Sequence, residues 1–172
     1  MKPWIFLAAT AVALSSCNTK SVDTYASGNP DTLTYAYKAS YSSDFTVPYH
    51  PEYAQKVLQV WKMFETAQID SMKPYFSDSV HYDDANGMHF FGPTVQLLAY
   101  AKKDVEGLDS MRFDIIAWQS AHVNDKNDDW VNIWSRERRY PKTGKADTMM
   151  MQENWQVKDG KVIRFDQYLA KP

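Results

Sequence analysis

Asp84 is the residue of this chain whose type and setting best suit acid–base chemistry. It lies in the segment YFSDSVHYDDANG, which spans residues 75–87. A carboxylate at the mouth of an apolar pocket can take a proton from a carbon acid when its neighbours raise its pKa. Its position before Ala-Asn-Gly is also typical of a turn, in which Asp accepts hydrogen bonds from nearby backbone N–H groups. The sequence leaves both interpretations open, and turns of this kind are far commoner than catalytic sites.

A small-molecule pocket is the second feature that the residue types indicate. Apolar walls with one amide to orient the ligand are the usual composition of such a site. The side chains predicted to line it are Trp61 and Phe64 on a helix, Tyr82 beside Asp84, and Trp118, Trp134, Met150 and Gln152 on strands. Ordinary core packing is the alternative for each aromatic residue.

Metal and nucleic-acid chemistry are not indicated. His81 and Asp83 share a strand face by their spacing, but nothing in the sequence brings His89 or His122 to them, and a tight motif such as H-x-x-x-H is absent. Phosphate-binding and nucleotide-binding motifs are absent too, so we predict neither a metal site nor a cofactor. The net charge is −2 with both signs mixed along the chain, which argues against a nucleic-acid partner.

The N-terminus predicts export and anchoring. Lys2 precedes an apolar run over residues 4–14 that is too short to span a bilayer but suits a signal peptide. The following Leu14-Ser15-Ser16-Cys17 resembles the lipobox of bacterial lipoproteins, and Cys17 is the only cysteine of the chain. We therefore predict a signal peptide at 1–16 and a lipid on Cys17 that holds the protein to the membrane on the periplasmic or cell-surface side of the bacterial envelope. An ordinary secretory signal is the alternative.

Residues 17–48 are polar and contain a Gly-Asn-Pro sequence, which favours a flexible tether or an extended arm. From residue 49 onward, apolar spacing of three and four predicts helices over 53–67, 72–76 and 94–105, with a short hairpin of strands 80–83 and 88–91 between the last two. Alternation then predicts a strand over 111–123 and three more within 129–169, joined by turns at Gly144 and Gly160. This order predicts an α+β fold with helices on one face of a curved, mostly antiparallel sheet.

The domain over residues 49–172 resembles the nuclear transport factor 2-like superfamily, which includes ketosteroid isomerases and SnoaL-like polyketide cyclases. The resemblance lies in YFSDSVHYDDANG, in a Gly-Pro that opens a helix, and in W-x-V-x-D-G-K-V followed by a Tyr near the end. It implies a cone-shaped roll in which three N-terminal helices pack on a curved sheet around a pocket. It also implies a homodimer through the outer face of the sheet.

The resemblance assigns catalytic positions as well. Isomerases of this superfamily use a general-base Asp and two oxyanion donors. A match without gaps places Asp84 at the base position and Gln152 and Val60 at the donor positions. Gln152 has an amide to donate, whereas Val60 has no donor, and loss of such a donor typically costs about 10²–10³ in rate.

Three functional hypotheses follow. The leading one is an envelope lipoprotein whose pocket binds a small, largely apolar molecule. The second is an isomerase-, cyclase- or dehydratase-type enzyme with Asp84 as general base. The third is a non-catalytic interaction or dimerisation module, because this superfamily fixes the fold far better than the function.

Overall fold

A computed structural model of the protein describes residues 36–170. The predicted signal peptide, Cys17 and the start of the predicted tether lie outside the described residues. A compact unit begins at Ala39, and residues 36–38 belong to a separate unit. The elements of the compact unit are β1 (Phe45–Thr46), α1 (Pro51–Glu65), a 3₁₀ helix (Ile69–Tyr75), β2 (Phe76–Asp83), β3 (His89–Pro93), α2 (Thr94–Glu106), β4 (Leu108–Val123), β5 (Asp128–Pro141), β6 (Asp147–Lys158) and β7 (Lys161–Ala170).

The seven strands form one sheet in the order β1-β4-β5-β6-β7-β2-β3. All neighbouring pairs are antiparallel except β2 and β7, which run parallel. The β6–β7 hairpin has a two-residue turn in which Asp159 and Gly160 both adopt positive φ, a conformation that two-residue hairpins require. The predicted α+β fold, three helices on a mostly antiparallel sheet, is therefore confirmed.

One face of the sheet carries the core. Val131 and Ile133 in β5 and Trp155 and Val157 in β6 are buried. The polar residues between them point to the other face because side chains alternate along a strand. In these parts of β5 and β6, the inward side chains are therefore apolar and the outward side chains are polar.

Helix α1 covers this inner face. Its buried residues Ala54, Val57, Val60 and Trp61 recur at intervals of three and four, the spacing of one helical face. Burial of each such valine contributes about 2 kcal/mol relative to exposure. Pro51 begins the helix, where its missing N–H costs no hydrogen bond. Residues of α1, the 3₁₀ helix, α2 and the inner sheet face share one hydrophobic cluster.

Two helical predictions need correction. The helix predicted over 72–76 is a 3₁₀ helix that begins earlier, at Ile69, and contains Pro74. In α2, spacing of three residues predicts that Val95 and Leu98 share the buried face, but Val95 is 55% exposed, whereas Leu97 and Leu98 are buried. The spacing over 94–105 fits two helical faces, and only packing against the sheet selects between them.

The alternation predicted for β4 is also wrong beyond its middle. The pairing with β5 shifts between Ile115 and Ala117, so that Ile115 lies opposite Ser135 and Ala117 opposite Trp134. A bulge of this kind inserts one extra residue and reverses which face the following side chains occupy. Ile115 and Ala117, which strict alternation over 111–123 would place on one face, therefore lie on opposite faces.

Residues 41–46 lie against the β4–β5 hairpin. Phe45 and Thr46 pair with Val123 and His122, and the Asn124 N–H donates to the carbonyl of Asp44 over 3.0 Å. This part of the chain forms an extended arm. Among residues 36–170, none of the helices is long and apolar enough to cross a membrane.

Candidate functional site

A cavity of about 650 Å³ lies between the inner face of the sheet and the helices. Apolar and aromatic side chains form most of its wall. They are Val60, Trp61, Phe64, Met72, Phe76, Tyr82, Met88, Leu97, Leu98, Tyr100, Ala101, Phe113, Met149, Met151, Trp155, Phe165 and Leu169. The polar side chains of the wall are Asp84, Asn86, Asp104, Glu137, Arg139, Asp147, Glu153 and Gln167. A largely apolar cavity with a few converging polar groups is the usual form of a small-molecule site.

Glu153 is one of the two acidic side chains of the wall that are buried, the other being Glu137. It lies on the inward face of β6 and is only 5% exposed. The Gln167 side-chain amide donates to its Oε1 over 2.9 Å, and the Trp155 indole N–H donates to its Oε2 over 2.8 Å. Both donors are uncharged, so a carboxylate at this position is hydrogen-bonded but has no cation among them.

Burial raises the pKa of Glu153 to about 7, because the charged form loses its hydration. The hydrogen bonds from Gln167 and Trp155 oppose this shift, and the nearby carboxylate of Glu137 adds to it. A carboxyl group with a pKa near neutrality can both take and give a proton at physiological pH.

Trp61 also faces this carboxylate. Its indole also lowers the pKa of Glu153. Yet Trp61 Nε1 is buried and, among the described residues, makes no hydrogen bond of ordinary geometry. A buried donor without a partner costs about 1–3 kcal/mol. Trp61 therefore leaves one N–H available to an acceptor in the cavity.

A second polar cluster joins β5 to α2. Arg139 donates from Nη1 and Nη2 to the two carboxylate oxygens of Asp104 over 2.8 and 2.9 Å, and from Nε to Glu137 over 2.7 Å. Burial alone would lower the pKa of Arg139, but these two carboxylates raise it. Burial raises the pKa of Glu137, against the opposing effect of Arg139. This network is an internal ion pair that leaves little of the guanidinium for a ligand.

Stacked aromatic rings form one wall of the cavity. Trp155 stacks on Phe165 with ring centroids 4.4 Å apart, and Phe165 stacks on Tyr82 at 4.3 Å. Burial raises the pKa of Tyr82 above its usual value, with the charge of Glu153 contributing. Tyr82, predicted to line the pocket, thus lines the cavity, as do Trp61 and Phe64.

Asp84 lies at the cavity rim, where it stabilises its own turn. Its Oδ1 accepts the backbone N–H groups of Asn86 and Met88, each over 2.8 Å. The Asn86 side chain donates to Oδ2 over 3.4 Å. Of the two interpretations that the sequence left open, this geometry is that of the turn. The proposed general base is therefore largely occupied by local hydrogen bonds.

Four predicted pocket residues lie elsewhere. Trp134, Met150 and Gln152 face away from the cavity, because Gln152 pairs with Trp134 and alternates with the inward Met151 and Glu153. The match that assigned Gln152 to a donor position in the pocket was therefore wrong by one residue along β6. Trp118 follows the β4 bulge, is 56% exposed and does not line the cavity.

Glu153 itself was missed, although the sequence carries a signal for it. Trp155 and Val157 alternate with Asn154 and Gln156, which marks the odd-numbered residues of β6 as inward. Glu153 is then a lone acidic residue on an apolar face. The Met149-Met150-Met151 run obscured this pattern, because it supplies apolar side chains to both faces.

Of the histidines considered as metal ligands, His81 and His89 both lie beside Asp83, on the outer side of β2 and β3. Asp83 Oδ1 lies 3.2 Å from His81 Nε2 and 2.7 Å from His89 Nδ1, and Arg164 donates to Asp83 Oδ2 over 2.9 Å. The hydrogen bond from His89 lowers the pKa of Asp83, with His81 and Arg164 contributing. Within residues 36–170 no group of three or more potential ligands has a geometry that could hold a metal ion. His122 pairs separately with Asp129.

Comparison with solved structures defines the class of fold. An LEH-like epoxide hydrolase from M. tuberculosis matches with a TM-score of 0.59 at 10% identity, over 70% of this chain and 84% of that one. A SnoaL-like protein from Shewanella putrefaciens CN-32 matches with a TM-score of 0.57 at 8% identity, over 69% and 80% of the two chains. An NTF2-like protein of unknown function from Burkholderia pseudomallei K96243 matches with a TM-score of 0.57 at 11% identity, over 69% of this chain and 90% of that one.

These likenesses establish that the chain has the nuclear transport factor 2-like fold, so the resemblance inferred from its motifs is confirmed at the level of the fold. No family model and no curated protein matches the sequence. Identities of about a tenth leave the chemistry to be argued from the cavity itself.

Proposed function

We propose that this protein is a lipid-anchored envelope protein that binds a small, largely apolar molecule in the cavity of its cone. The cavity carries the proposal. Its volume of about 650 Å³ lies within the range of roughly 300–1,000 Å³ that ligand sites occupy. Its wall is mostly apolar, while Glu153, Gln167 and the free N–H of Trp61 offer polar contacts at its inner end. Leu14-Ser15-Ser16-Cys17 supports the anchor.

A variant that fills the cavity tests this function. Ala101 lines the cavity from α2, so we expect Ala101→Trp to occupy space that a ligand needs. The probe is N-phenyl-1-naphthylamine, an apolar fluorophore that brightens in apolar surroundings. We expect saturable binding to the wild-type protein, weaker binding to Ala101→Leu and loss of binding with Ala101→Trp, measured by fluorescence titration.

Val95→Trp is the matched control, because Val95 lies on the same helix but is 55% exposed. It adds the same side chain outside the cavity, so its binding should equal that of the wild-type protein. Thermal unfolding of each variant shows whether it is folded. Equal probe binding by folded Ala101→Trp and Val95→Trp would contradict the proposal.

A proton-transfer enzyme of the isomerase, cyclase or dehydratase type is the second candidate. Glu153 favours it, because a carboxyl group in an apolar cavity with a pKa of about 7 suits general acid–base catalysis. In this form of the hypothesis Glu153 takes the role first considered for Asp84. Replacement by Gln removes the titrating group at almost unchanged volume, so a Glu153→Gln variant that retains full turnover of any isomerisable substrate would exclude it.

A further inference from the structure

We infer that the cavity selects amphipathic amines, with the ammonium group beside the Glu153 carboxylate and the apolar part against the aromatic wall. This inference rests on the proposed function, because it names the chemical class of the molecule that the cavity binds. It concerns a preference between ligands of equal shape, so it can fail while the cavity still binds apolar molecules.

The hydrogen bonding of Glu153 is the first reason. A carboxylate offers about four acceptor positions, and Gln167 and Trp155 each supply one donor. Both donors are neutral, although a buried charge is normally paired with an opposite charge. A ligand ammonium supplies up to three donors and the missing positive charge. Glu153 is therefore a fitting partner for an amine.

The aromatic wall is the second reason. The aromatic side chains that line the cavity include Trp61, Phe76, Tyr82, Phe113, Trp155 and Phe165. A cation close to the face of a Trp, Tyr or Phe ring is attracted by about 2 kcal/mol when both are desolvated. The same rings bind the hydrocarbon part of an amphipathic ligand. A cationic head is thus favoured over a neutral one in this setting.

The charge of the cavity lining points the same way. Its acidic side chains are Asp84, Asp104, Glu137, Asp147 and Glu153, and Arg139 is the one cationic side chain that the described residues contribute to the lining. Arg139 is bound by Asp104 and Glu137. An anionic ligand would therefore meet excess negative charge, whereas a cation would be attracted as it enters.

The buried N–H of Trp61 is a further polar group that a ligand beside Glu153 can use. This buried donor lacks a partner among the described residues, and such a group normally finds one in a complete structure. It suits a hydroxyl or carbonyl oxygen close to the amine. The polar end of the ligand is thus expected at the Trp61–Glu153 end of the cavity.

The experiment compares 4-phenylbutylamine, 4-phenylbutan-1-ol and 4-phenylbutyrate, which share a hydrocarbon part and differ in charge. Each is titrated into the full-length protein at pH 8 while it displaces N-phenyl-1-naphthylamine. We expect the amine to bind about tenfold or more tighter than the alcohol, and the carboxylate to bind weakest. Glu153→Gln should remove most of the advantage of the amine, because the charge that pairs with the ammonium is lost, while the alcohol binds about as before.

Glu106→Gln is the matched control, because Glu106 is exposed on α2 and its loss removes the same charge from the surface. The amine should keep its advantage in this variant. The inference is overturned if the alcohol binds as tightly as the amine, or if the amine preference is undiminished in Glu153→Gln. Binding of the fluorophore in the same protein would still support the cavity as a binding site. If the wild-type protein binds neither the fluorophore nor any of the three compounds, the proposed function fails as well.

Discussion

Glu153 is a buried carboxyl group in the cavity wall, and its pKa is raised. Its burial disfavours the charged form, and its two neutral hydrogen bonds compensate only in part, so its pKa rises to about 7. At high pH this carboxyl group must be charged while buried, which lowers the stability of the folded state. Its position in the wall of the cavity is consistent with a role towards a ligand.

The pH dependence of stability tests this description of Glu153. The pKa of Glu153 is about 7 in the folded protein against an ordinary value of 4.5, so the folded state binds the proton more tightly than the unfolded state. The associated stabilisation is complete below about pH 4.5 and is lost as the pH rises through 7. The difference of 2.5 units corresponds to about 3 kcal/mol.

We expect Glu153→Gln to flatten this dependence, measured as the free energy of urea unfolding at pH 5 and pH 8. The wild-type protein should lose more stability than the variant between the two values. Glu106→Gln should retain the wild-type difference, since Glu106 is exposed. Identical pH dependence in the wild-type protein and Glu153→Gln would show that the Glu153 carboxyl group titrates normally.

In the turn between β2 and β3, the side chain of Asp84 stabilises the local backbone. Asp84 accepts two backbone hydrogen bonds from its own turn, and an Asn at this position can keep one acceptor oxygen in place. We expect Asp84→Ala to reduce the free energy of unfolding by about 1 kcal/mol, and Asp84→Asn to reduce it less. Both variants should still bind N-phenyl-1-naphthylamine. If Asn proves as damaging to stability as Ala, the turn-stabilising role of Asp84 is wrong.

At the level of elements, local patterns predicted most of the fold. The hairpin turn at Asp159-Gly160, the buried face of α1 and the apolar alternation of Val157 and Trp155 all follow from short-range rules. The β4 bulge after Ile115 is not visible in the sequence, because the extra residue is specified only by pairing with β5.

The candidate site was harder to predict than the fold. Trp61, Phe64 and Tyr82 line the cavity, but Gln152 and Trp134 face away from it, because a slip of one residue exchanges the two faces of a strand. The polar clusters join residues that are distant in the chain. Arg139 reaches Asp104 from another element, and that contact depends on how α2 packs on the sheet.

At the scale of the whole molecule, a lipid on Cys17, as the sequence predicts, would hold the cavity at the membrane surface. This residue lies outside the described part of the structure, and its lipidation remains a proposal from the sequence. We expect Cys17→Ser to shift the protein from the detergent phase to the aqueous phase in Triton X-114 partitioning. Mass spectrometry of the mature N-terminus should find a lipid on the wild-type protein alone. A wild-type N-terminus without lipid would contradict the anchor and leave the cavity unaffected.

Binding of a small molecule by the cavity is the central claim, and native mass spectrometry of protein purified from its own host tests it most directly. We expect one co-purifying small molecule per chain in the wild-type protein and in Val95→Trp, and its loss from Ala101→Trp. A molecule retained equally by folded Ala101→Trp, or a wild-type protein that carries none and binds no fluorophore, would contradict the claim.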